Sequence, residues 1–153
     1  MRYRGWVILV VIAASCTLGI ANAQNAGKSV IASPNAPAAI GPYSQAVRVG
    51  KTVYLSGQIA IDPKSKQMIA NTSIEEQTKR VLENLKAVLG ADGMTLDDVV
   101  STTVFVKDLN DFGKMNEVYG TFFTHAPPAR ATVEVARLPK DAIIEISAIA
   151  VHR

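Results

Sequence analysis

The stretch Asp98–Lys107 reads DVVSTTVFVK and constrains the fold more than any other segment of the chain. Its β-branched and aromatic residues favour a strand, and apolar side chains fall on both of its alternating faces. Residues 143–151, IIEISAIAV, have the same property. A strand that is apolar on both faces needs cover on both sides of its sheet. These two segments therefore predict the centre of a sheet that is covered on each face.

Two amphipathic helices are predicted to cover one of these faces. The first begins at Thr72 or Ser73, with a glutamate three residues further on, as in a capping box. The second runs from about residue 112 to 123 and is capped by Asn110 or Asp111. The apolar stripe of the first helix is Ile74, Val81, Leu82, Leu85, Val88 and Leu89, and that of the second is Phe112, Met115, Tyr119 and Phe122.

Shorter strands complete a mixed α+β pattern. Residues 47–49 and 52–56 predict a hairpin with Gly50 in its turn, and residues 131–136 predict a strand after the break at Pro127 and Pro128. Two helices of this size cover only one face of a small sheet. We therefore expect the other face to pack against a second copy of the chain. A homo-oligomer of this kind makes an active site between subunits possible.

The first 23 residues have the pattern of an export signal. Arg2 and Arg4 form a basic region, and an unbroken apolar run follows from residue 6 to 14. Ala21-Asn22-Ala23 supplies the small residues that a signal peptidase reads. The pattern predicts cleavage after Ala23 and an exported protein, most simply a periplasmic one.

Two alternatives to cleavage after Ala23 stay open. Cys16 follows Ala13-Ala14-Ser15, which fits a permissive lipoprotein signal, and the segment could also be retained as a membrane anchor. In each case the membrane is contacted only through this segment. The predicted organisation is a signal peptide over residues 1–23, a linker or N-terminal arm over 24–39, and one domain over 40–153.

Composition and charge narrow the class of protein. The chain has 153 residues, 48% of them apolar and 19% charged, which excludes disordered and collagen-like chains. Removal of residues 1–23 takes away two of 16 basic residues, so 14 basic and 13 acidic residues leave a net charge of +1. It also removes the only Cys and the only Trp. The processed chain has no thiol chemistry, and nucleic acid is not an expected partner.

Two strand glutamates are candidates for acid–base chemistry. Glu145 shares an alternating face with Ile143, Ser147 and Ile149, and Glu134 lies between two valines. A buried carboxyl group has a raised pKa, which suits a general acid or base at neutral pH. On pattern alone, a solvated strand face is the favoured interpretation of each of them.

Further candidates also have structural alternatives, and for Arg130 (a surface residue) and Ser56-Gly57 (a plain strand-to-loop exit) the structural alternative is favoured by the pattern alone. Arg130 follows a rigid proline pair and could bind a carboxylate through its planar fork, or could be a surface residue. Tyr43 lies in a turn-rich loop as an exposed phenol or a packing residue, and Ser56-Gly57 ends a strand where a ligand could approach the backbone. His125 and His152 lack metal-ligand spacing and are expected to lie in a loop and near the exposed C-terminus.

Several stretches together resemble the Rid family, the reactive intermediate deaminases that are also called YjgF-like. The resemblance covers about residues 30–153. The matching stretches are 35–46 (NAPAAIGPYSQA), 56–59 (SGQI), 104–112 (VFVKDLNDF), 115–119 (MNEVY), 127–139 (PPARATVEVARLP), Glu145-Ile146 and 148–150 (AIA).

The resemblance implies a chorismate-mutase-like α+β fold, with a mixed sheet that carries two helices on one face. It implies a homotrimer with active sites in the clefts between subunits. The implied activity is hydrolysis of 2-imino acids, or of their enamine tautomers, to 2-oxo acids and ammonia. Examples are 2-aminoacrylate, 2-iminopropanoate and 2-iminobutanoate. No cofactor and no metal are implied.

The resemblance also assigns roles to residues. Arg130 corresponds to the arginine that grips the substrate carboxylate, and Glu145 to the acid that orients or activates water. This favours Glu145 over Glu134 as the catalytic glutamate. Ser147 stands where many members have a second Glu, and Thr132 where many have Cys. The positions that match the rest of the substrate-binding cleft are Tyr43, Ser56, Gly57 and Asn116, together with Thr132.

Two other functions remain open at the level of sequence. One is a non-catalytic trimer that binds small carboxylates or acts as a holdase. The other is the ribonuclease or translation-inhibitor role attached to some family members, which the near-neutral charge and the export signal do not favour.

Overall fold

The computed structural model describes residues 27–69 and 71–153, so the predicted export signal lies outside the described residues. The strands are β1 (Ser29–Ile31), β2 (Ala46–Val49), β3 (Thr52–Gln58), β4 (Val99–Val106), β5 (Ala129–Glu134) and β6 (Ile144–Val151). They form one sheet in the order β1-β2-β3-β6-β4-β5. Only the pair β4–β5 is parallel, so the sheet is mixed, as predicted.

Two helices, α1 (Ile74–Gly90) and α2 (Phe112–Phe122), pack on one face of this sheet. The capping box of α1 is confirmed: Ser73 Oγ accepts the Glu76 amide at 3.2 Å, and the Glu76 carboxylate accepts the Ser73 amide at 3.3 Å. Every residue of the predicted α1 stripe is buried in the main core. Within residues 27–69 and 71–153, no helix combines the length and the apolarity that crossing a membrane requires.

Helix α2 begins at Phe112, as predicted, but the way its first amides are satisfied differs from a simple side-chain cap. Residues 109–111 form a short 3-10 turn, and the Asp108 side chain accepts the Asn110 amide at 2.8 Å. Asp111 is the N-cap residue of α2, as predicted, but its side chain makes no capping hydrogen bond. The 3-10 turn satisfies amides that a cap would otherwise serve, which is a common way to begin a helix.

Two strands also differ from the pattern. β5 spans 129–134 rather than 131–136, because its parallel ladder with β4 already begins where Ser101 pairs with Ala129. Within the segment predicted as a linker or N-terminal arm, residues 29–31 form the edge strand β1 against β2. The hairpin of β2 and β3 has its turn at Gly50, whose φ of 60° suits glycine.

The second face of the sheet, which we call the open face, carries apolar side chains that no other part of residues 27–69 and 71–153 covers. A row of apolar residues crosses four paired strands on this face: Val30, Val47, Tyr54 and Ile149. Tyr54 is 51% exposed and Val30 is 63% exposed. The helices thus cover one face only, as the count of apolar faces predicted.

Candidate active site

A cavity of about 330 Å³ lies at the end of β3, beside Glu145 of β6. Its walls are largely apolar and come from the loop 37–40, from Ile59 and Ile61, and from Pro139. Its polar lining comes from Tyr43, Gln45, the 56–58 end of β3 and Glu145. We call Tyr43, Ser56, Gly57 and Glu145 the carboxyl half-site.

Glu145 is the chemically unusual group of the carboxyl half-site. It is partly buried, and this burial raises the pKa of its carboxyl group above the ordinary value. The side chain lies directly against Gly57, where a Cβ would come within 2.7 Å of the Glu145 carboxyl carbon and within 2.9 Å of its Cγ. The absence of a side chain at Gly57 therefore leaves room for the Glu145 carboxyl group. The raised pKa of this group suits proton transfer near neutral pH.

Tyr43 and Ser56 build the rim of the same cavity. The Tyr43 hydroxyl oxygen accepts the Ile40 amide at 3.2 Å, while the ring is 47% exposed. The Ser56 hydroxyl donates to the Ser44 carbonyl at 2.7 Å, which ties β3 to the loop before β2. Both side chains thus hold the loop in place and still line the cavity.

Three buried amide side chains hold the cavity walls and the backbone just before β6, and sequence reasoning missed all of them. Gln45 accepts the Ser33 amide at 2.6 Å and donates to the Pro37 carbonyl at 2.7 Å. Asn84 donates to the carbonyls of Ile59 and Ile61, and Gln77 accepts the amide of Ile143, next to β6. A signal existed for the last two, because each is a polar residue within the apolar stripe of α1.

The remaining predicted residues lie around the edge strand β5 and helix α2. The Arg130 guanidinium stands over the rings of Tyr119, at 4.6 Å from the centroid, and of Phe112, at 5.7 Å. Asn116 lies on the same face of α2, one turn from each ring. Thr132 Oγ1 is buried and has no hydrogen-bond partner in the described part of the chain. We call Asn116, Arg130 and Thr132 the guanidinium half-site.

The sheet separates the two half-sites. Glu145 pairs with Phe105 of β4, whereas Arg130 pairs with Thr102. Because side chains alternate along a strand, Phe105 and Thr102 point to opposite faces. Glu145 therefore lies on the open face and Arg130 on the helix face, so one protomer does not bring the two residues together.

The other predicted candidates are engaged elsewhere. Glu134 Oε2 accepts the Leu109 amide at 2.9 Å, which places this carboxylate outside the cavity. Ser147 lies opposite Thr103 on the open face, and His125 is an exposed loop residue. The His152 ring is less exposed than predicted. It forms a 2.8 Å hydrogen bond with Asp92, because β6 ends beside the turn after α1.

Comparisons with known proteins place the chain in a family. The profile of the family described as Endoribonuclease L-PSP matches residues 33–152. A RutC family protein of Pyrococcus horikoshii is 54% identical over 123 residues, which are 80% of this chain and 97% of that protein. Proteins named 2-iminobutanoate/2-iminopropanoate deaminase are similar too: the Salmonella typhimurium protein is 55% identical over 126 residues (80% and 97% of the two chains), and the mouse protein is 50% identical over 125 residues (82% and 92%).

Solved structures agree with this assignment. The structure of the Escherichia coli YjgF gene product matches with a TM-score of 0.77 and 52% identity, over 82% of this chain and 99% of that one. The structure of Escherichia coli TdcF with bound serine matches with a TM-score of 0.78 and 44% identity, over the same shares. The chain therefore belongs to the Endoribonuclease L-PSP family, also known as the YjgF/Rid family.

Proposed function

We propose that the protein hydrolyses reactive 2-imino acids, or their enamine tautomers, to 2-oxo acids and ammonia. The observation that carries the proposal is Glu145, a carboxyl group with a raised pKa at the wall of a mostly apolar cavity. Relatives named 2-iminobutanoate/2-iminopropanoate deaminase, at 50% and 55% identity, support this chemistry. The serine bound to TdcF supports a small ligand with a carboxylate.

The reaction needs only water and proton transfer. The Glu145 carboxylate accepts a proton from a water molecule as the water oxygen forms a bond to the imine carbon. The C=N double bond becomes a single bond in a carbinolamine. Glu145 returns the proton to nitrogen, and its carboxylate then accepts the hydroxyl proton of the carbinolamine as the C–N bond breaks and the C=O group forms. The departing ammonia takes this proton from Glu145 as ammonium, which restores the carboxylate. The protonated imine is already electrophilic and needs no further activation. The Glu145 carboxyl group therefore has only to supply acid–base catalysis, and Arg130 orients the substrate carboxylate.

The proposed site is completed by a neighbouring subunit. Glu145 and Arg130 lie on opposite faces of one sheet, so a single small substrate reaches both only if they come from different protomers. The uncovered apolar row on the open face supports a partner copy there, and we propose the homotrimer that the family resemblance implies. In this arrangement Asn116 and Thr132 line the cleft beside Arg130, and Tyr43, Ser56 and Gly57 line it beside Glu145.

The assembly has a direct test. Ile149 is 36% exposed in the middle of the open face, and the change Ile149→Asp would bury a charge in any contact made there. Sedimentation of the wild-type protein is expected to give a trimer, and Ile149→Asp a protomer that is still folded. A reversal of an exposed charge on the helix side, Lys86→Glu, is the control and should leave the trimer intact. A wild-type protein that sediments as a protomer contradicts the proposal.

The proposed place of action is outside the cytoplasm, after cleavage behind Ala23. Mass spectrometry of the protein isolated from cell fractions tests this proposal, because a cleaved chain begins at Gln24. A lipid found on Cys16, and absent from the variant Cys16→Ser, would indicate lipoprotein processing instead of cleavage after Ala23. A chain that retains residues 1–23 in the membrane fraction would indicate an anchor.

The activity itself is tested by an assay on imines made in place. An amino-acid oxidase generates 2-imino acids of increasing side-chain size, and trapping with semicarbazide reports how fast the purified protein removes them. We expect acceleration by the wild-type protein with several small substrates. No acceleration with any substrate would contradict the proposal and leave a carboxylate-binding or holdase role. RNA cleavage that persists in Glu145→Gln would instead support a ribonuclease role.

A further inference from the structure

The Arg130 guanidinium is placed by aromatic rings rather than by an acid. None of the ion pairs among residues 27–69 and 71–153 involves Arg130. Its guanidinium carbon instead lies 4.6 Å from the centre of the Tyr119 ring and 5.7 Å from that of Phe112. Phe112 and Tyr119 are seven residues apart in α2, so their side chains lie two turns apart on one helix face.

Tyr119 is itself held from three directions. Its side chain is only 5% exposed, and its hydroxyl shares a 2.8 Å hydrogen bond with the hydroxyl of Thr102 on β4. Its ring packs on Phe123, with 4.6 Å between centroids. Thr102 is the residue that pairs with Arg130 in the β4–β5 ladder, so β4, β5 and α2 meet at this ring. The position of the ring is therefore fixed by the core.

We propose that Tyr119, assisted by Phe112, is a positioning residue that presents the Arg130 guanidinium to the carboxylate of the substrate. The inference rests on the proposed function, because it takes Arg130 as the group that receives this carboxylate. A guanidinium that stacks on a ring does so through its flat face, which leaves its in-plane N–H groups available for a bidentate pair. An acidic partner would have occupied those same N–H groups.

The physical benefit is preorganisation. Arg130 lies on an exposed edge strand, where a long side chain has many rotamers that binding must restrict. The ring platform restricts them before the substrate arrives. Burial raises the pKa of the Tyr119 phenol, so the hydroxyl stays protonated and neutral around physiological pH. The platform therefore adds no charge that would compete for the guanidinium.

The test separates the ring from the hydroxyl. Tyr119→Leu removes the ring and keeps an apolar side chain, whereas Tyr119→Phe keeps the ring and loses only the bond to Thr102. We expect Tyr119→Leu to raise KM for the imine roughly three- to thirtyfold, with kcat changed much less, because the substrate carboxylate is bound equally in ground and transition states. Tyr119→Phe should keep KM within about threefold of wild type. Phe112→Leu, whose ring is more distant and more exposed, should give a smaller rise.

Two controls distinguish positioning from a purely structural role. Phe123→Leu removes a ring that touches Tyr119 but not Arg130, and it should lower thermal stability without raising KM. In an Arg130→Ala background, Tyr119→Leu should add nothing further to KM, because the partner of the ring is gone. A folded Tyr119→Leu protein with wild-type KM, or an equal rise in KM with Arg130 absent, overturns the inference.

Binding of a stable product keeps the test independent of catalysis. Calorimetry with 2-oxobutanoate measures how well the carboxylate is held, and Tyr119→Leu should weaken this binding by the same factor as it raises KM. If the wild-type protein hydrolyses no imine, the proposed function fails, and this dissociation constant alone decides the role of Tyr119. If the wild-type protein hydrolyses imines but Tyr119→Leu leaves both KM and the binding of 2-oxobutanoate unchanged, only the inference about Tyr119 fails.

Discussion

The two half-sites differ in how completely one protomer builds them. The carboxyl half-site is concave, and buried amides such as Gln45 and Asn84 hold its walls. The guanidinium half-site lies on the exposed edge strand β5, where Arg130 rests on two rings. The first half is shaped by the fold of one chain, whereas the guanidinium of the second makes no ion pair with any residue that the structure describes. The difference suggests that acid–base chemistry is built into the protomer, and that substrate orientation comes with assembly.

The largest effect is expected from neutralising the carboxyl half-site. Glu145→Gln keeps the shape of the side chain but cannot take a proton from water, so kcat for imine hydrolysis should fall about 10²- to 10⁴-fold. Glu134→Gln is the matched control, since Glu134 bonds a backbone amide outside the cavity, and it should keep kcat within about threefold. Steady-state kinetics on 2-iminobutanoate gives both values. Equal losses in the two variants would contradict the comparison.

A somewhat smaller loss is expected from crowding the same carboxylate. In Gly57→Ala the new Cβ would come within 2.9 Å of both Glu145 Cγ and its carboxyl carbon, so the carboxylate must move. A shift of about 1 Å at a reacting group can cost roughly a hundredfold in rate, and we expect a fall in kcat of that order.

The control for this change is another glycine. A Cβ at Gly120 in α2 meets nothing within 4 Å, so Gly120→Ala should keep full activity. It should also stabilise the protein by about 0.5–1 kcal/mol, because alanine favours the helix. Activity of Gly57→Ala close to that of Gly120→Ala would mean that the position of Glu145 is not critical.

The wall of the carboxyl half-site gives a stability prediction. Gln45→Ala leaves the Ser33 amide and the Pro37 carbonyl without their partner, and it should lower the free energy of unfolding by about 1–3 kcal/mol. Gln67→Ala, at an exposed position, should stay within about 0.5 kcal/mol of wild type. Denaturant titration measures both changes. If Gln45→Ala leaves the free energy of unfolding unchanged, the N-terminal arm holds the cavity wall without this side chain.

The smallest effect is a dependence of stability on pH. Burial raises the pKa of Glu145 in the folded protein above its ordinary value of 4.5. The folded state therefore holds the proton of the Glu145 carboxyl group more tightly than the unfolded state does. The stability that this proton contributes is fully present below pH 4.5 and is lost as pH rises through the folded-state pKa. The Tm of Glu145→Gln should exceed that of wild type more at pH 8 than at pH 4. A Tm difference that does not change with pH, or grows towards acid, would contradict the burial argument.

Local signals explain which parts of the fold could be predicted. The start of α1 follows from Ser73 and Glu76, and β4 and β6 follow from their apolar pattern. The start of β5 could not be predicted, because it is set by pairing with Ser101 on a distant strand. β1 has only three residues, which is too short for a pattern to emerge.

The candidate site was predictable in its members but not in its arrangement. Alternation along a strand showed which residues share a face with Glu145, yet the register that joins β6, β4 and β5 is a tertiary property. The separation of Glu145 from Arg130 by the sheet therefore had to come from the structure. The same holds for Tyr119, which the sequence marked only as part of an apolar helix stripe.

The central claim is that each site combines Glu145 of one protomer with Arg130 of another, and subunit mixing tests it most directly. Arg130→Ala and Glu145→Gln chains are unfolded, mixed in equal amounts and refolded together, with each variant refolded alone as the control. Because the subunits of a symmetric assembly are equivalent, random mixing should leave about a quarter of the sites with both native residues. The mixture is expected to regain about this share of wild-type activity, while each variant alone keeps only a small residual activity far below it. A mixture no more active than the two variants apart would contradict it.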